Sequence, residues 1–163
     1  MPRTKKGPRQ QLPKTENKPV PPYQVFFSGA AKQAYSSYFD RAEKAKQRGD
    51  LTNDHIKKLR MIDEVIEQMI PRDPFNVKYA LTGDLSAIFR IQKGRLRVCW
   101  IGSSAQRRIY VIFISETLRK AGDVNDPYHL LTNMMLSGEF DGLFEELGIA
   151  APLRARRLSL LTQ

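Results

Sequence analysis

The stretch 81–128 constrains the fold most, because apolar and polar residues alternate there in three successive short runs. The alternation predicts strands at 84–91, 96–101 and 107–115, followed by a helix from about Pro127. One face of the first two strands is a continuous apolar layer, as in a half-buried sheet. The third run is apolar on both faces, so we expect it to be central and covered on both sides.

The turn between the first two strands decides which residues face each other. A two-residue hairpin at Lys93-Gly94 is the shortest loop that fits, and it places Arg90 directly opposite Arg97. Like charges in that position destabilise a sheet, whereas guanidinium groups bind phosphate in a bidentate geometry. Two interpretations follow: an anion site, for which a nucleic-acid backbone is the first ligand to consider, or two side chains that extend into water.

Two apolar stripes at helical spacing precede the sheet and follow a short strand at 23–28. The first runs from Ala31 to Ala45 and ends at Gly49, and the second runs from Ile56 to Ile70. The second stripe includes Ile66; Thr52 or Asn53 can cap its helix, and Pro71 is predicted to stop it. We expect the two helices to pack as an antiparallel pair that covers the sheet. A short strand at 77–81 and a turn at 82–84 are also expected.

The C-terminal part of the domain is predicted to be helical. Asp126 is a good N-cap and Pro127 suits the first helical position, and this helix should end at Gly138. A further short helix is expected at 140–147, closed by Gly148.

The charge is spread unevenly along the 163 residues. The net charge is +10, yet residues 1–22 hold six basic residues and one acidic residue, and 151–163 hold three basic residues and no acidic one. We expect a disordered, Pro-rich basic tail at 1–22, one domain at 23–149, and a basic tail at 150–163. Basic tails bind nucleic acid through phosphates, or they only aid solubility, and both interpretations stay open.

Several classes of protein have little support. Cys99 is the single cysteine, which excludes an internal disulfide and a cysteine-based zinc site, and we interpret it as a sheet residue. His55 and His129 lie far apart without ligand spacing, so no metal site and no cofactor are predicted. No apolar run reaches eighteen residues and no signal peptide is evident, so we expect a cytoplasmic protein without membrane association.

Candidate chemistry lies around the start of the last long helix. Arg119 and Lys120 leave the end of the third strand, and Tyr128 and His129 occupy the first helical turn, where free amide groups favour an anion. If the intervening loop folds back, these four residues can converge on the basic face of the sheet. Lys78, before the hairpin, is a candidate neighbour of that face.

This inventory of cations, a phenol and an imidazole suits phosphodiester cleavage in RNA. The ribose 2′-hydroxyl can attack its own phosphorus, while the enzyme removes a proton, stabilises negative charge and protonates the leaving 5′-oxygen. Arginines can stabilise the charge, and His129, Lys120 or Tyr128 can share the proton transfers. The alternative is structural: Tyr128 packs its helix, His129 is an exposed helix residue, and Arg119 caps loop carbonyls.

Short motifs along residues 23–149 carry a resemblance to a known family. They are the Tyr-Gln-Val-Phe-Phe start, Tyr-x-x-Tyr-Phe in the first helix, Gly94-Arg-Leu-Arg97, Leu118-Arg119, Gly122, Asp126, Tyr128 and Met134-Met-Leu-Ser-Gly138. At these spacings the chain resembles the YhaV toxins of the RelE/ParE superfamily, and the spacing from Arg119 to Tyr128 is the most specific part.

The resemblance implies a compact α+β fold, with two N-terminal helices packed on a small antiparallel sheet and further helices at the C-terminus. It also implies a type II toxin that cuts mRNA, often on the translating ribosome, and is silenced by a cognate antitoxin. For YhaV toxins the usual antitoxin is of the PrlF type with an AbrB-like DNA-binding domain, so operator DNA would be reached only through the antitoxin.

Residue roles also follow from the resemblance. Arg97 and Arg119 would hold the scissile phosphate, and Tyr128 would stack on a base or assist proton transfer. Arg90 matches an arginine before the turn of YhaV toxins, whereas Lys78 is only a loose counterpart of the paired lysines of RelE, so the general base stays open. The candidate catalytic residues are Arg97, Arg119, Tyr128 and His129, and the candidate substrate-binding residues are Arg90, Arg95, Lys78 and Lys120.

Two other functions stay open. The chain could be a non-catalytic toxin of the same fold that binds DNA gyrase, as ParE toxins do, or that binds RNA. It could also be a degenerate toxin that serves only as a corepressor with its antitoxin. ParE-type toxins generally lack the full set of Arg97, Arg119 and Tyr128, so these residues favour the nuclease.

Overall fold

A computed structural model describes residues 22–116 and 123–152. The strands of these residues form one sheet in the order β1-β4-β3-β2. They are β1 (Gln24–Phe27), β2 (Phe89–Lys93), β3 (Leu96–Ser103) and β4 (Arg108–Ser115). The expectations for the two tails, and for Arg119 and Lys120, concern residues outside the described ranges.

The sheet is mixed. Strands β2 and β3 pair antiparallel, as do β3 and β4, which agrees with the predicted antiparallel sheet. Strand β1, however, pairs parallel with β4, so the prediction of a wholly antiparallel sheet is wrong for this pair. Strand β4 lies between β1 and β3 and is covered on both faces, as its apolar sequence predicts.

Helices cover both faces of the sheet and complete the predicted α+β fold. The helices are α1 (Gly29–Gln47), α2 (Asp54–Glu64), α3 (Ile70–Arg72), α4 (Pro127–Leu136) and α5 (Asp141–Leu147). Helices α1 and α2 bury one core against the sheet, around Trp100 and Val111. Helices α4 and α5 bury a second core on the other face, around Ile112 and Leu131.

The end of the second helical segment differs from the prediction. A π-helical turn (Val65–Met69) joins α2 to α3, and the Ile70 N–H bonds to the Val65 carbonyl. Because this turn adds one residue, Val65 and Ile70 are fully buried whereas Ile66 is only partly buried. Pro71 lies inside α3 rather than stopping the helix before it, because this short last turn accommodates it at the N-terminal end of α3.

The strand before the hairpin is shorter than predicted. Gly83–Leu85 is a 3₁₀ turn and Ala87 has a φ of 76°, so β2 begins at Phe89 rather than at residue 84. The expected strand at 77–81 is instead a 3₁₀ turn (Val77–Tyr79) followed by a single bridge from Ala80 to Phe89. Across the described ranges, no helix is both long enough and apolar enough to cross a membrane.

Candidate active site

The β2–β3 turn fixes the register of the site. The two-residue loop is Gly94-Arg95, closed by the pair of Lys93 and Leu96, so the predicted Lys93-Gly94 loop is wrong. Gly94 has a φ of 60°, whereas the φ of Arg95 is not positive. This combination fits a hairpin turn with glycine at the first loop position. A loop with glycine second requires Lys93 at positive φ in a type I′ turn, which is unfavourable for a lysine.

The observed loop changes the neighbours of the two arginines but not their face. Arg90 pairs with Cys99, and Arg97 pairs with Gln92, so the prediction that Arg90 and Arg97 lie directly opposite each other is wrong. Sliding one strand by two residues preserves the face on which each side chain lies. Arg90 and Arg97 are therefore diagonal neighbours on the face that α4 and α5 cover.

Tyr128 joins the two arginines in what we call the arginine–tyrosine cluster (Arg90, Arg97 and Tyr128). Its ring centroid lies 5.8 Å from Arg90 Cζ and 5.7 Å from Arg97 Cζ. The Arg90 Nη1 group also donates a hydrogen bond to the Tyr128 hydroxyl. Guanidinium groups at this distance are attracted to an aromatic ring, so the phenol lies in contact with two cations.

The N-terminal cap of α4 places Tyr128 in the cluster. The Asp126 Oδ2 atom accepts hydrogen bonds from the backbone N–H groups of Tyr128 and His129, each at 3.2 Å, which confirms the predicted cap. Pro127 occupies the first helical position, as predicted. Asp126 is buried, and the cap therefore anchors the first turn of α4 against the sheet.

Cys99 lies on the same face of the sheet as Arg90 and Arg97, and its thiol is buried. Burial raises the pKa of its thiol to about 12, although Arg90 and Arg97 act in the opposite direction. A thiol with this pKa stays protonated at neutral pH and is a poor nucleophile. The interpretation of Cys99 as a structural sheet residue therefore agrees with its surroundings.

The remaining candidate residues in the described ranges are His129, Arg95 and Lys78, and none of them belongs to the arginine–tyrosine cluster. His129 is exposed in the first turn of α4, and its backbone N–H serves the Asp126 cap. Arg95 is exposed at the hairpin tip, and its carbonyl accepts a hydrogen bond of 3.3 Å from Arg97 Nη1. Lys78 lies beside Arg90, because both line one open groove of about 330 Å³.

That groove contains residues that the sequence analysis missed. The groove is lined by Lys78, Arg90 and Ile91 and by four further residues that were not predicted: Met69, Tyr79, Gln92 and Lys93. The alternation of β2 was the available signal for Gln92, since it places this side chain on the face of Arg90. Met69 and Tyr79 had no comparable signal, because the π-helical and 3₁₀ turns that position them are not evident in the sequence.

The donor set of the described residues is cationic and phenolic. In these ranges no three His, Cys, Asp or Glu side chains come together in a group that could hold a metal ion. A buried arginine beside a second arginine and a phenol can bind an anion with delocalised negative charge, such as a phosphate ester. The fold and the cluster thus define a small α+β domain with a candidate anion-binding site.

The chain belongs to the YhaV toxin family, whose model matches residues 13–151 and describes a toxin with endonuclease activity of a toxin–antitoxin system. This match confirms the predicted family and the predicted nuclease activity. In a toxin–antitoxin system, the partner of the toxin is an antitoxin. No curated protein matches the chain. The solved RelBE2 toxin–antitoxin complex from Mycobacterium tuberculosis is similar at 16% identity and a TM-score of 0.43, over 58% of this chain and 98% of that chain.

Proposed function

We propose that this endonuclease toxin cleaves mRNA on the translating ribosome through metal-independent attack by the ribose 2′-hydroxyl. The observation that carries the proposal is the convergence of Arg90 and Arg97 on Tyr128, at 5.8 and 5.7 Å from its ring centroid. A site built from cations and a phenol can bind and polarise a phosphodiester without carboxylate ligands.

The two arginines would hold the scissile phosphate. Arg97 is only 5% exposed, and charge interactions are stronger where water is excluded. The buried Nε of Arg90 has no hydrogen-bond partner among the described residues, so this guanidinium keeps a donor for a ligand. Arg119 would add a third guanidinium, a role that rests on the family resemblance alone.

The reaction requires two proton transfers. The 2′-oxygen forms a bond to phosphorus as its proton leaves, and the bond from phosphorus to the 5′-oxygen breaks as that oxygen gains a proton. Tyr128 accepts from Arg90, and a phenol that accepts can still donate its own hydrogen to the leaving oxygen. Lys78, Lys120 and His129 stay candidates for the proton acceptor.

The partner proposal also follows from the resemblance. We propose an antitoxin of the PrlF type, whose AbrB-like domain would connect the toxin to operator DNA. Purification of the toxin with the product of the adjacent gene tests this proposal directly. A stable complex with a protein of another fold, and none with an AbrB-like protein, would contradict it.

The chemistry can be tested in a cell-free translation reaction with the full-length chain and a reporter mRNA. Attack by the 2′-hydroxyl leaves a 2′,3′-cyclic phosphate upstream and a 5′-hydroxyl downstream, so the new ends should enter adapter ligation only after kinase treatment. A single 2′-deoxynucleotide at a mapped position should block that cut and leave the others. Because the proposed cleavage takes place on the translating ribosome, blocking translation initiation should remove the cuts.

The site is tested in the same reaction with Arg97→Ala and Arg119→Ala. Arg60→Ala is a matched control, because Arg60 is exposed on α2 beyond the opposite face of the sheet. We expect both site variants to lose at least 100-fold in rate, as for removal of one preorganised transition-state donor. Cleavage at the wild-type rate in both, or fragments that carry a 5′-phosphate, would contradict the proposal.

A further inference from the structure

The groove beside Arg90 follows the outer edge of β2. Strand β2 is the last strand of the sheet on this side, and its groove has a volume of about 330 Å³. Met69 and Tyr79 form an apolar wall, whereas Lys78, Gln92 and Lys93 are polar. Arg90 belongs both to this groove and to the arginine–tyrosine cluster, so the two sites are continuous.

The edge of β2 is covered only along its first part. The Leu81 N–H donates to the Ile88 carbonyl at 2.9 Å, and Ala80 forms a bridge with Phe89. Alternate residues of an edge strand present their backbone groups outward. The backbone groups of Arg90 and Gln92 therefore point away from β3, as those of Ile88 do. Beyond the bridge at Phe89, no strand of the described part of the chain pairs with this edge, so the outward backbone N–H and carbonyl of Gln92 face the groove.

The apolar wall is held in place. The Tyr79 ring packs edge-on against Trp100, with ring centroids 5.6 Å apart, and Trp100 is fully buried. Lys78 Nζ lies 5.0 Å from the centroid of the Tyr79 ring. At the other end, Lys93 Nζ bonds to Glu64 Oε2 at 3.1 Å. The groove thus has a fixed aromatic wall with a cation at each end.

We propose that this groove is a nucleobase subsite that binds the base next to the scissile phosphate and gives the toxin a preference for certain cleavage sequences. This inference rests on the proposed RNA cleavage and extends it to substrate selection. Aromatic side chains stack on any base, and discrimination between bases comes from hydrogen bonds to their edges. The outward backbone groups of Gln92 and its carboxamide can supply such bonds.

A protein strand is a less suitable occupant of the groove. Strand addition gains affinity from a row of backbone hydrogen bonds. Here only Gln92 presents a full outward set of backbone groups in β2, because the bridge between Ala80 and Phe89 covers the earlier part of the edge. The cations Lys78 and Arg90 also line the groove, and their positive charge suits the phosphates next to a bound base.

Gln92 is the side chain best placed to discriminate between bases. It is exposed, lies on the face of Arg90 and pairs with Arg97 in the sheet. Its Nε2 donates to the Gly94 carbonyl at 3.1 Å, so the side chain is already turned along the hairpin. A carboxamide carries both a donor and an acceptor, and it can form paired hydrogen bonds with a base edge.

The test maps cleavage across a transcript library by sequencing the new 5′ ends, with wild type, Gln92→Ala and Lys78→Ala. Gln33→Ala is the control, because it removes an exposed glutamine from α1. We expect Gln92→Ala to reduce the ratio of preferred to disfavoured sites about tenfold, the loss expected for one hydrogen bond. Lys78→Ala should slow all sites by a similar factor, since a phosphate contact carries no base information.

The outcomes separate the two proposals. If the wild type cuts RNA but Gln92→Ala keeps the wild-type sequence preference, the subsite is wrong and the proposed cleavage stands. If the wild type cuts no RNA, the proposed function fails first. If Gln92→Ala and Lys78→Ala cut normally but bind the antitoxin more weakly, the groove is a protein-binding edge and the nucleobase proposal is overturned.

Discussion

Replacing the cap of α4 tests how the stability of the domain is coupled to the arginine–tyrosine cluster. Asp126→Ala removes the acceptor of two backbone hydrogen bonds, from Tyr128 and His129, each at 3.2 Å. Loss of an N-cap costs about 1–2 kcal/mol of unfolding free energy. For a domain of this size that corresponds to roughly 3–10 °C in the unfolding temperature. Because Tyr128, the proposed proton donor, lies two residues after the cap, we expect cleavage to fall about tenfold or more when its side chain is displaced.

Asp126→Asn is the matched variant, since asparagine caps a helix as well as aspartate does. It should recover most of the unfolding temperature, measured by circular dichroism, and most of the cleavage rate on the reporter mRNA. An Asp126→Ala protein with unchanged unfolding temperature and rate would refute the reasoning. If Asp126→Asn unfolds like the wild type but is as inactive as Asp126→Ala, the carboxylate acts in the chemistry and not only as a cap.

Three further predictions concern single residues. Tyr128→Phe keeps the ring but removes the acceptor of the Arg90 hydrogen bond, so we expect at least a tenfold slower cut in single-turnover assays; a rate within twofold of wild type would limit Tyr128 to stacking. The Cys99 thiol has its pKa raised to about 12 by burial, so it should resist iodoacetamide at pH 8 in the native protein, and labelling as fast as in the unfolded chain would contradict its burial. In Gly102→Ala the added Cβ would meet the Ile109 side chain and lie 3.0 Å from the Arg108 carbonyl oxygen. Thermal unfolding should therefore show a loss of about 1–3 kcal/mol in the free energy of unfolding, and an unchanged unfolding midpoint would disprove this.

Patterns of burial were predictable because they depend on periodicity. Alternation correctly put Arg90 and Arg97 on one face, and the apolar β4 run correctly predicted a central strand. The helical stripes likewise predicted α1 and most of α2. These features need only local spacing and the requirement that apolar side chains be buried.

Register and pairing were less accessible to sequence reasoning. The position of Gly94 as the first loop residue depends on a backbone angle, although the cost of positive φ at Lys93 could have favoured the observed turn. The parallel pairing of β1 joins residues more than eighty positions apart, and no local pattern encodes it. The π-helical turn at Val65–Met69 is set by packing in the core and has no signal in the spacing before it.

For the site, the sequence indicated which residues to consider but not their geometry. The structure brings Arg90, Arg97 and Tyr128 together, and it leaves the side chain of His129 exposed. The position of Tyr128 was predictable because Asp126 and Pro127 mark the start of a helix in the sequence. The groove at the edge of β2 was not, since its walls come from irregular turns.

The pairing of β1 with β4 bears on how the toxin is made. The strand at Gln24–Phe27 leaves the ribosome early, yet its partner residues in the sheet lie at Arg108–Val111. Contacts this distant in sequence form slowly. Tyr128 then emerges after every strand of the described residues, so a nascent or truncated chain that lacks α4 has no complete arginine–tyrosine cluster. The cluster can therefore assemble only after α4 has been made, a delay during which a partner protein can meet the nascent chain.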